Sequence, residues 1–229
     1  MNSPPDDLPA DNRHLYDGAE EEPCVGTEFL LPGPAGDLQV LTNYPDGCPR
    51  GAPVGIICHP HPLYGGSMAN KVVHILAASL KDMGLPSVRF NFRGVGKSQG
   101  EFDDGRGESQ DLLAVTNWLR QRHPDSPLWL AGFSFGAFVA WRAHRDAGAA
   151  RLLLVAPPVR MFSFEGVGEV EVSWWVVQGG RDEITDPQAV SDWVQRQAHP
   201  PGFVSLPEAD HFFHGQLNAI RAAVVHAWS

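Results

Sequence analysis

The sequence predicts an α/β protein: a doubly wound, mostly parallel sheet preceded by an antiparallel hairpin. Three observations carry that expectation. From residue 54 onward, apolar runs of strand length alternate with amphipathic segments of helix length. Several runs are almost continuously apolar, as strands buried on both faces must be. Before them, two short apolar runs flank a cluster of Pro and Gly.

The elements follow in order. Thr27–Leu31 and Leu38–Tyr44 read as the hairpin, joined by Pro32-Gly33-Pro34-Ala35-Gly36. The later strands read as Val54–Cys58, Ser87–Phe92, Leu128–Phe133, Arg151–Ala156, Ser173–Gln178 and Phe203–Leu206. Helices are expected over roughly 69–83, 108–122, 136–147, 187–198 and 215–228. In the first, Val72, Val73, Leu76, Ala77 and Leu80 share one face; Leu112, Leu113, Val115, Trp118 and Leu119 do so in the second. No internal repeat and no second domain is visible.

Residues 1–24 stand apart. Seven acidic side chains face Arg13 alone there, and proline recurs at positions 4, 5, 9 and 23. This segment reads as a flexible acidic tail, leaving residues 25–229 as one domain. The chain has 229 residues and a formal net charge of −10, with 17 Lys+Arg against 27 Asp+Glu. That balance argues against a nucleic-acid partner, which needs a basic face. No apolar run approaches the ~20 residues that span a bilayer, so no membrane association is expected. The start shows no secretory pattern, and Cys24, Cys48 and Cys58 form no disulfide framework. A cytoplasmic location fits these features. Oligomeric state is not legible.

Chemistry concentrates at three strand ends. Gly132-Phe133-Ser134-Phe135-Gly136 follows the strand at 128 and opens a helix. A nucleophile must stand on a sharp turn to clear the sheet, and glycines two residues either side let neighbouring backbone approach. The amide of Phe135 would then face a developing oxyanion. A serine also needs a base, and the base needs an orienting group. Asp182 lies in the loop after Ser173–Gln178; Glu183 and Asp186 are its rivals, although Asp186 also suits an N-cap before Pro187. His211 lies in the loop before the last helix, with His214 as competitor. His211-x-x-His214 could suggest a metal pair, but no further ligands stand at plausible spacing, so no metal is expected.

These residues resemble the α/β-hydrolase superfamily, in which nucleophile, acid and histidine follow in this order. The likeness covers about residues 25–229. It is nearest to small bacterial hydrolases akin to dienelactone hydrolases and short-chain esterases. Those share an H-P-H-P-x-x-G-G segment, here His59–Gly66, and an R-F-N-F-R-G-x-G-x-S segment, here Arg89–Ser98. Dienelactone hydrolases proper use cysteine, so Ser134 departs from their chemistry. The resemblance implies an α/β-hydrolase fold, a Ser134–Asp182–His211 triad and no cofactor. It also places a second oxyanion donor in the loop at His59, with the His61 amide matching best and those of Leu63 or Tyr64 as alternatives. Pro60 and Pro62 have no N–H to give. The imidazoles of His59 and His61 could be catalytic or metal-binding, or could brace this loop.

Two motifs lead elsewhere. Gly94-Val95-Gly96-Lys97-Ser98 lacks the earlier glycine of a phosphate-binding loop, since position 91 is Asn, and reads as a tight turn. Cys58 reads as a small buried thiol. Only about 16 residues separate the strands at Ala156 and Ser173, too few for a lid. Met161, Phe162 and Phe164 there, with Leu63 and Tyr64, are candidates for a small acyl pocket or for local packing. The expected activity is hydrolysis of a small carboxylic ester or thioester through an acyl-enzyme, with a small acyl compound as substrate. An acyltransferase on the same residues, or a silent binding module of this fold, are the alternatives.

Overall fold

The computed structural model describes residues 26–167 and 169–228. The acidic tail expected at residues 1–24 lies outside them. Eight strands form one sheet: β1 (Glu28–Gly33), β2 (Gly36–Asn43), β3 (Val54–Cys58), β4 (Ser87–Phe90), β5 (Leu128–Phe133), β6 (Arg151–Val155), β7 (Ser173–Gly179) and β8 (Gly202–Leu206). Their spatial order is β1-β2-β4-β3-β5-β6-β7-β8. β2 runs antiparallel to β1 and β4, and every other pairing is parallel. The fold is therefore the mostly parallel sheet with an opening hairpin that the sequence predicts. Among the described residues five α-helices flank it: α1 (Lys71–Asp82), α2 (Arg106–Arg122), α3 (Phe135–Ala143), α4 (Pro187–Gln195) and α5 (Leu217–Trp228).

The topology fixes where a ligand can bind. The chain leaves β3 for β4 on one side, then returns past β3 to β5 on the other. Strand order reverses there, and the loops at the carboxyl ends of β3 and β5 diverge to leave a crevice. His59 follows β3 directly, and Ser134 follows β5.

All residues of β3 and of β5 are buried. Because strand side chains alternate, neighbours serve different layers. Ile56, Leu130, Leu152 and Val176 meet Leu112, Phe138, Trp141 and Trp193 of α2, α3 and α4. Ile57, Ala131, Leu153 and Val177 meet Val72, Leu76, Ile220 and Trp228 of α1 and α5.

Element ends depart from the sequence expectation for local reasons. β4 stops at Phe90 rather than Phe92, because the Phe92 amide donates to His59 Nε2 at 3.0 Å. α3 stops at Ala143 rather than 147, where the Ala149 amide turns back to the His144 carbonyl and Gly148 takes φ 58°. β6 ends before Ala156, which adopts φ 48°. Among the described residues between β6 and β7 there is no helix from which a lid could be built. Among the described residues no helix is long and apolar enough to cross a membrane.

Candidate active site

Ser134 sits where β5 turns into α3, at φ 54° and ψ −120°. A non-glycine residue there carries strain on the order of 1–3 kcal/mol and persists only where its surroundings fix it. They do. Its amide donates to the Val155 carbonyl at 2.8 Å, and its carbonyl accepts from Ala137 at 2.8 Å. A Cβ on Gly132 would stand 2.1 Å from the Gly136 carbonyl oxygen. One on Gly136 would stand 2.3 Å from the Cys58 oxygen and 2.6 Å from that of His59. Both glycines are thus required by backbone contact, and the second presses the start of α3 onto the loop after β3.

His211 lies between β8 and α5, 2% exposed, with its ring 5.1 Å from that of Phe133. Its Nδ1 is 2.8 Å from Asp182 Oδ2 and its Nε2 is 3.1 Å from Ser134 Oγ. A carboxylate only accepts, so Nδ1 carries the proton and Nε2 is left to accept from the serine hydroxyl.

Asp182, 5% exposed, follows β7. Its Oδ1 accepts from the amides of Ile184 (2.9 Å) and Thr185 (2.7 Å). Its Oδ2 accepts from His211, from the Thr185 hydroxyl at 2.5 Å and from Gln178 Nε2 at 3.1 Å. Burial works against ionisation, but the bonds from His211 and Thr185 outweigh it and hold the carboxyl below its usual range. Of the rivals, Glu183 is exposed. Asp186 caps α4 through the Gln188 amide at 3.0 Å and pairs with Arg160 at 2.6 Å. His214 pairs instead with Asp210, Nδ1 to Oδ2 at 2.7 Å. Among the described residues no three His, Cys, Asp or Glu side chains gather at a metal-binding arrangement.

The loop after β3 is wound around its own polar groups. The amide of Leu63 donates to His61 Nδ1 at 3.3 Å, and those of Tyr64 and Gly66 donate to the His61 carbonyl. The alternatives Leu63 and Tyr64 therefore spend their amides inside the loop. The N–H groups of His61 and Phe135 have no partner among the described residues. His59 is fully buried and uses both ring nitrogens. Nδ1 donates to the Pro60 carbonyl at 2.6 Å, and Nε2 accepts from Phe92. Burial pulls its pKa down to about 4, so the ring is neutral and braces the loop. Burial also lowers the pKa of His61, against the attraction of Asp104.

Rings form one wall of the site. That of His61 lies 4.9 Å from Phe135 and 4.8 Å from Phe102. Phe162 packs 5.4 Å from Phe135 and stacks on Phe138 at 4.7 Å. Leu63, Tyr64 and Met161 are 68%, 85% and 58% exposed. Phe164, the remaining pocket candidate, packs between Trp141 and Trp193 in the core.

Sequence reading missed Phe102, Phe138, Gln178 and Thr185. Asp182-x-x-Thr185 could have been found, since an aspartate that receives amides two and three residues on is a turn signal. The role of the Arg89–Ser98 segment was equally invisible. Arg93 forms a buried ion pair with Asp111 at 2.8 Å. Asn91 Oδ1 accepts from the Met68 amide at 2.8 Å, and Ser98 Oγ donates to the Asn91 carbonyl at 2.7 Å. The segment is a polar scaffold that ties the approach to α1 to the sheet.

A serine on a strained strand-to-helix turn, hydrogen-bonded through a histidine to a buried aspartate on this sheet, is the arrangement of a serine hydrolase. Comparison with known proteins places the chain: it belongs to the α/β-hydrolase superfamily. A lidless α/β serine hydrolase of Xanthomonas campestris is 43% identical, covers 91% of this chain and 96% of its own, and superposes with a TM-score of 0.86. An α/β serine hydrolase homologue of Coxiella burnetii is also 43% identical, covering 91% and 100%, with a TM-score of 0.87. An uncharacterised protein of Rickettsia prowazekii is 35% identical over 207 residues, 86% of each chain. The family model described as serine aminopeptidase S33 matches residues 63–164, a span that includes Ser134 but neither Asp182 nor His211.

Proposed function

We propose that this protein hydrolyses small carboxylic esters or thioesters through an acyl-enzyme. The observation that carries the reading is the unbroken chain from Ser134 Oγ to His211 (3.1 Å) to Asp182 (2.8 Å). Ser134 Oγ attacks the carbonyl while His211 Nε2 takes its proton. The imidazolium that forms faces the Asp182 carboxylate, which five donors hold in place. The unpartnered amides of Phe135 and His61 receive the oxyanion, at the start of a helix whose dipole favours negative charge. His211 then returns its proton to the leaving oxygen or sulfur. Water, activated by the same imidazole, releases the acid. Amides come second to esters because their leaving groups are poorer. Hydrolysis is the coarse activity that the hydrolase relatives support, and the acyl compound is the partner inferred for it.

A fluorophosphonate probe tests the reading: it labels Ser134 in the native protein and fails on Ser134→Ala. A panel of acyl esters and thioesters, run with and without added alcohol, then reads the reaction. Absence of labelling points to a silent module, and acyl transfer at the expense of hydrolysis points to a transferase. Either result displaces the proposal.

A further inference from the structure

Side chains around the Ser134 site divide between the two faces of the sheet. The ring cluster of Phe102, Phe135 and Phe162 lies on the face of α2 and α3. On the face of α1 and α5, a groove of about 500 Å³ runs between the start of α1 and the loop carrying His211. Gly65, Ser67, Asn70, Lys71, Phe212 and His214 line it. Phe212 is 40% exposed, and its ring stands edge-on to His211 at 5.1 Å. The His214 imidazole is engaged by Asp210. Lys71 is exposed, with no ion-pair partner among the described residues.

Reaction geometry distinguishes the two sides. When the tetrahedral adduct collapses, the bond from the carbonyl carbon to the leaving oxygen or sulfur breaks. That atom takes the proton from His211 Nε2, and the acyl group stays on Ser134 Oγ. The leaving group must therefore depart on the side of His211, where Phe212 and the groove stand. The acyl group is left on the other side, against the rings.

We propose that this groove is the leaving-group subsite and selects an alcohol or thiol with a flat apolar body and a negative charge. The body lies on Phe212 and the anion meets Lys71. The inference rests on the hydrolase reading above and adds the class of its substrate.

Two butyrate esters test it: those of 4-hydroxyphenylacetate, which is anionic, and of 4-hydroxyphenylacetamide, which is neutral. Their phenols differ in remote charge and little in leaving ability. The anionic ester is expected to show a kcat/KM roughly three- to fivefold higher, the size of one exposed ion pair. That ratio falls toward one in Lys71→Gln and in about 0.5 M salt, and survives in Lys71→Arg. Phe212→Ala lowers kcat/KM for phenyl butyrate relative to ethyl butyrate by about threefold or more. A ratio of one in the native enzyme, or a ratio that Lys71→Gln leaves intact, overturns the subsite. If Ser134 still takes the fluorophosphonate label in that case, the hydrolase reading stands without it. If the label fails as well, both fall.

Discussion

Replacing Asp182 by Asn changes one atom and reverses the polarity of the site. Every group around this carboxylate is a donor. Oδ1 receives the two backbone amides of Ile184 and Thr185, which cannot turn away. The asparagine oxygen must stay with them, so its NH₂ takes the place of Oδ2. There it meets His211 Nδ1–H, the Thr185 hydroxyl and Gln178 Nε2. The hydroxyl can rotate to accept. The Gln178 amide cannot turn over to help, because its Nε2 also donates to the Gly179 and Thr185 carbonyls, both at 3.2 Å, and its Oε1 would face two acceptors there. His211 can only move its proton to Nε2, and it then donates to Ser134 Oγ where it must accept. Folding should lose about 1–3 kcal/mol, the difference between charged and neutral hydrogen bonds. Activity should fall on the order of 10³–10⁴-fold, or about 4–5.5 kcal/mol of transition-state stabilisation. Steady-state hydrolysis of a short p-nitrophenyl ester, alongside thermal unfolding, measures both. Glu183→Gln serves as the neighbouring control and should change kcat/KM less than about twofold, as its side chain is exposed. An Asp182→Asn enzyme within tenfold of native would refute the tautomer argument, and a crippled Glu183→Gln would reassign the acid.

Three further outcomes are expected. Ser134→Ala and His211→Ala should each cost roughly 10³-fold or more in kcat, and the double variant little beyond either, because the two act as a unit; additive losses by single-turnover kinetics would contradict this. Acyl specificity in a p-nitrophenyl series from acetate to palmitate should peak at roughly two to six carbons without interfacial activation. Phe162, stacked on Phe138, closes the ring wall, so Phe162→Ala should move the optimum to longer chains; an unmoved optimum places the acyl group elsewhere. Finally, His59 has its pKa lowered from 6.5 to about 4 by burial. The unfolded chain then binds the proton first, so this stability is full above about pH 6.5 and is lost as pH falls toward 4, by on the order of 3 kcal/mol. His61 and His144 shift in the same direction, so His59→Gln should flatten part of the fall in melting temperature across that window.

The middle of the sheet was legible because its central strands obey one rule. A strand buried on both faces, such as Val54–Cys58 or Leu128–Phe133, has no polar position to confuse the reading. Ser134 was legible because only glycine fits at 132 and 136, where backbone passes within 2.1–2.3 Å of a Cβ position. Asp182 and His211 were legible from their loops at strand ends. The ring wall was not, since Phe102 and Phe138 reach the site from α2's approach and from α3, and no periodicity brings such residues together. Strand and helix ends were blurred where a side chain replaces a backbone partner, as His59 does at Phe92.

The polar scaffold explains why so much charge is buried beside a site that does not use it. The strain at Ser134 persists only if α3 and the loop after β3 hold their separation, and Gly136 shows that no slack exists between them. An apolar contact could slide there, because packing is not directional. Hydrogen bonds cannot slide without leaving a buried group unpaired. His59 ties the loop to Phe92, Arg93 ties the same segment to α2 through Asp111, and Asn91 ties it to Met68 before α1. Each bond ends on a different element, so the segment that His59 leans on is itself held from α2 and from the approach to α1. Polar residues buried in the core thus hold the loop after β3 against the start of α3, where Gly136 lies against the Cys58 and His59 carbonyls.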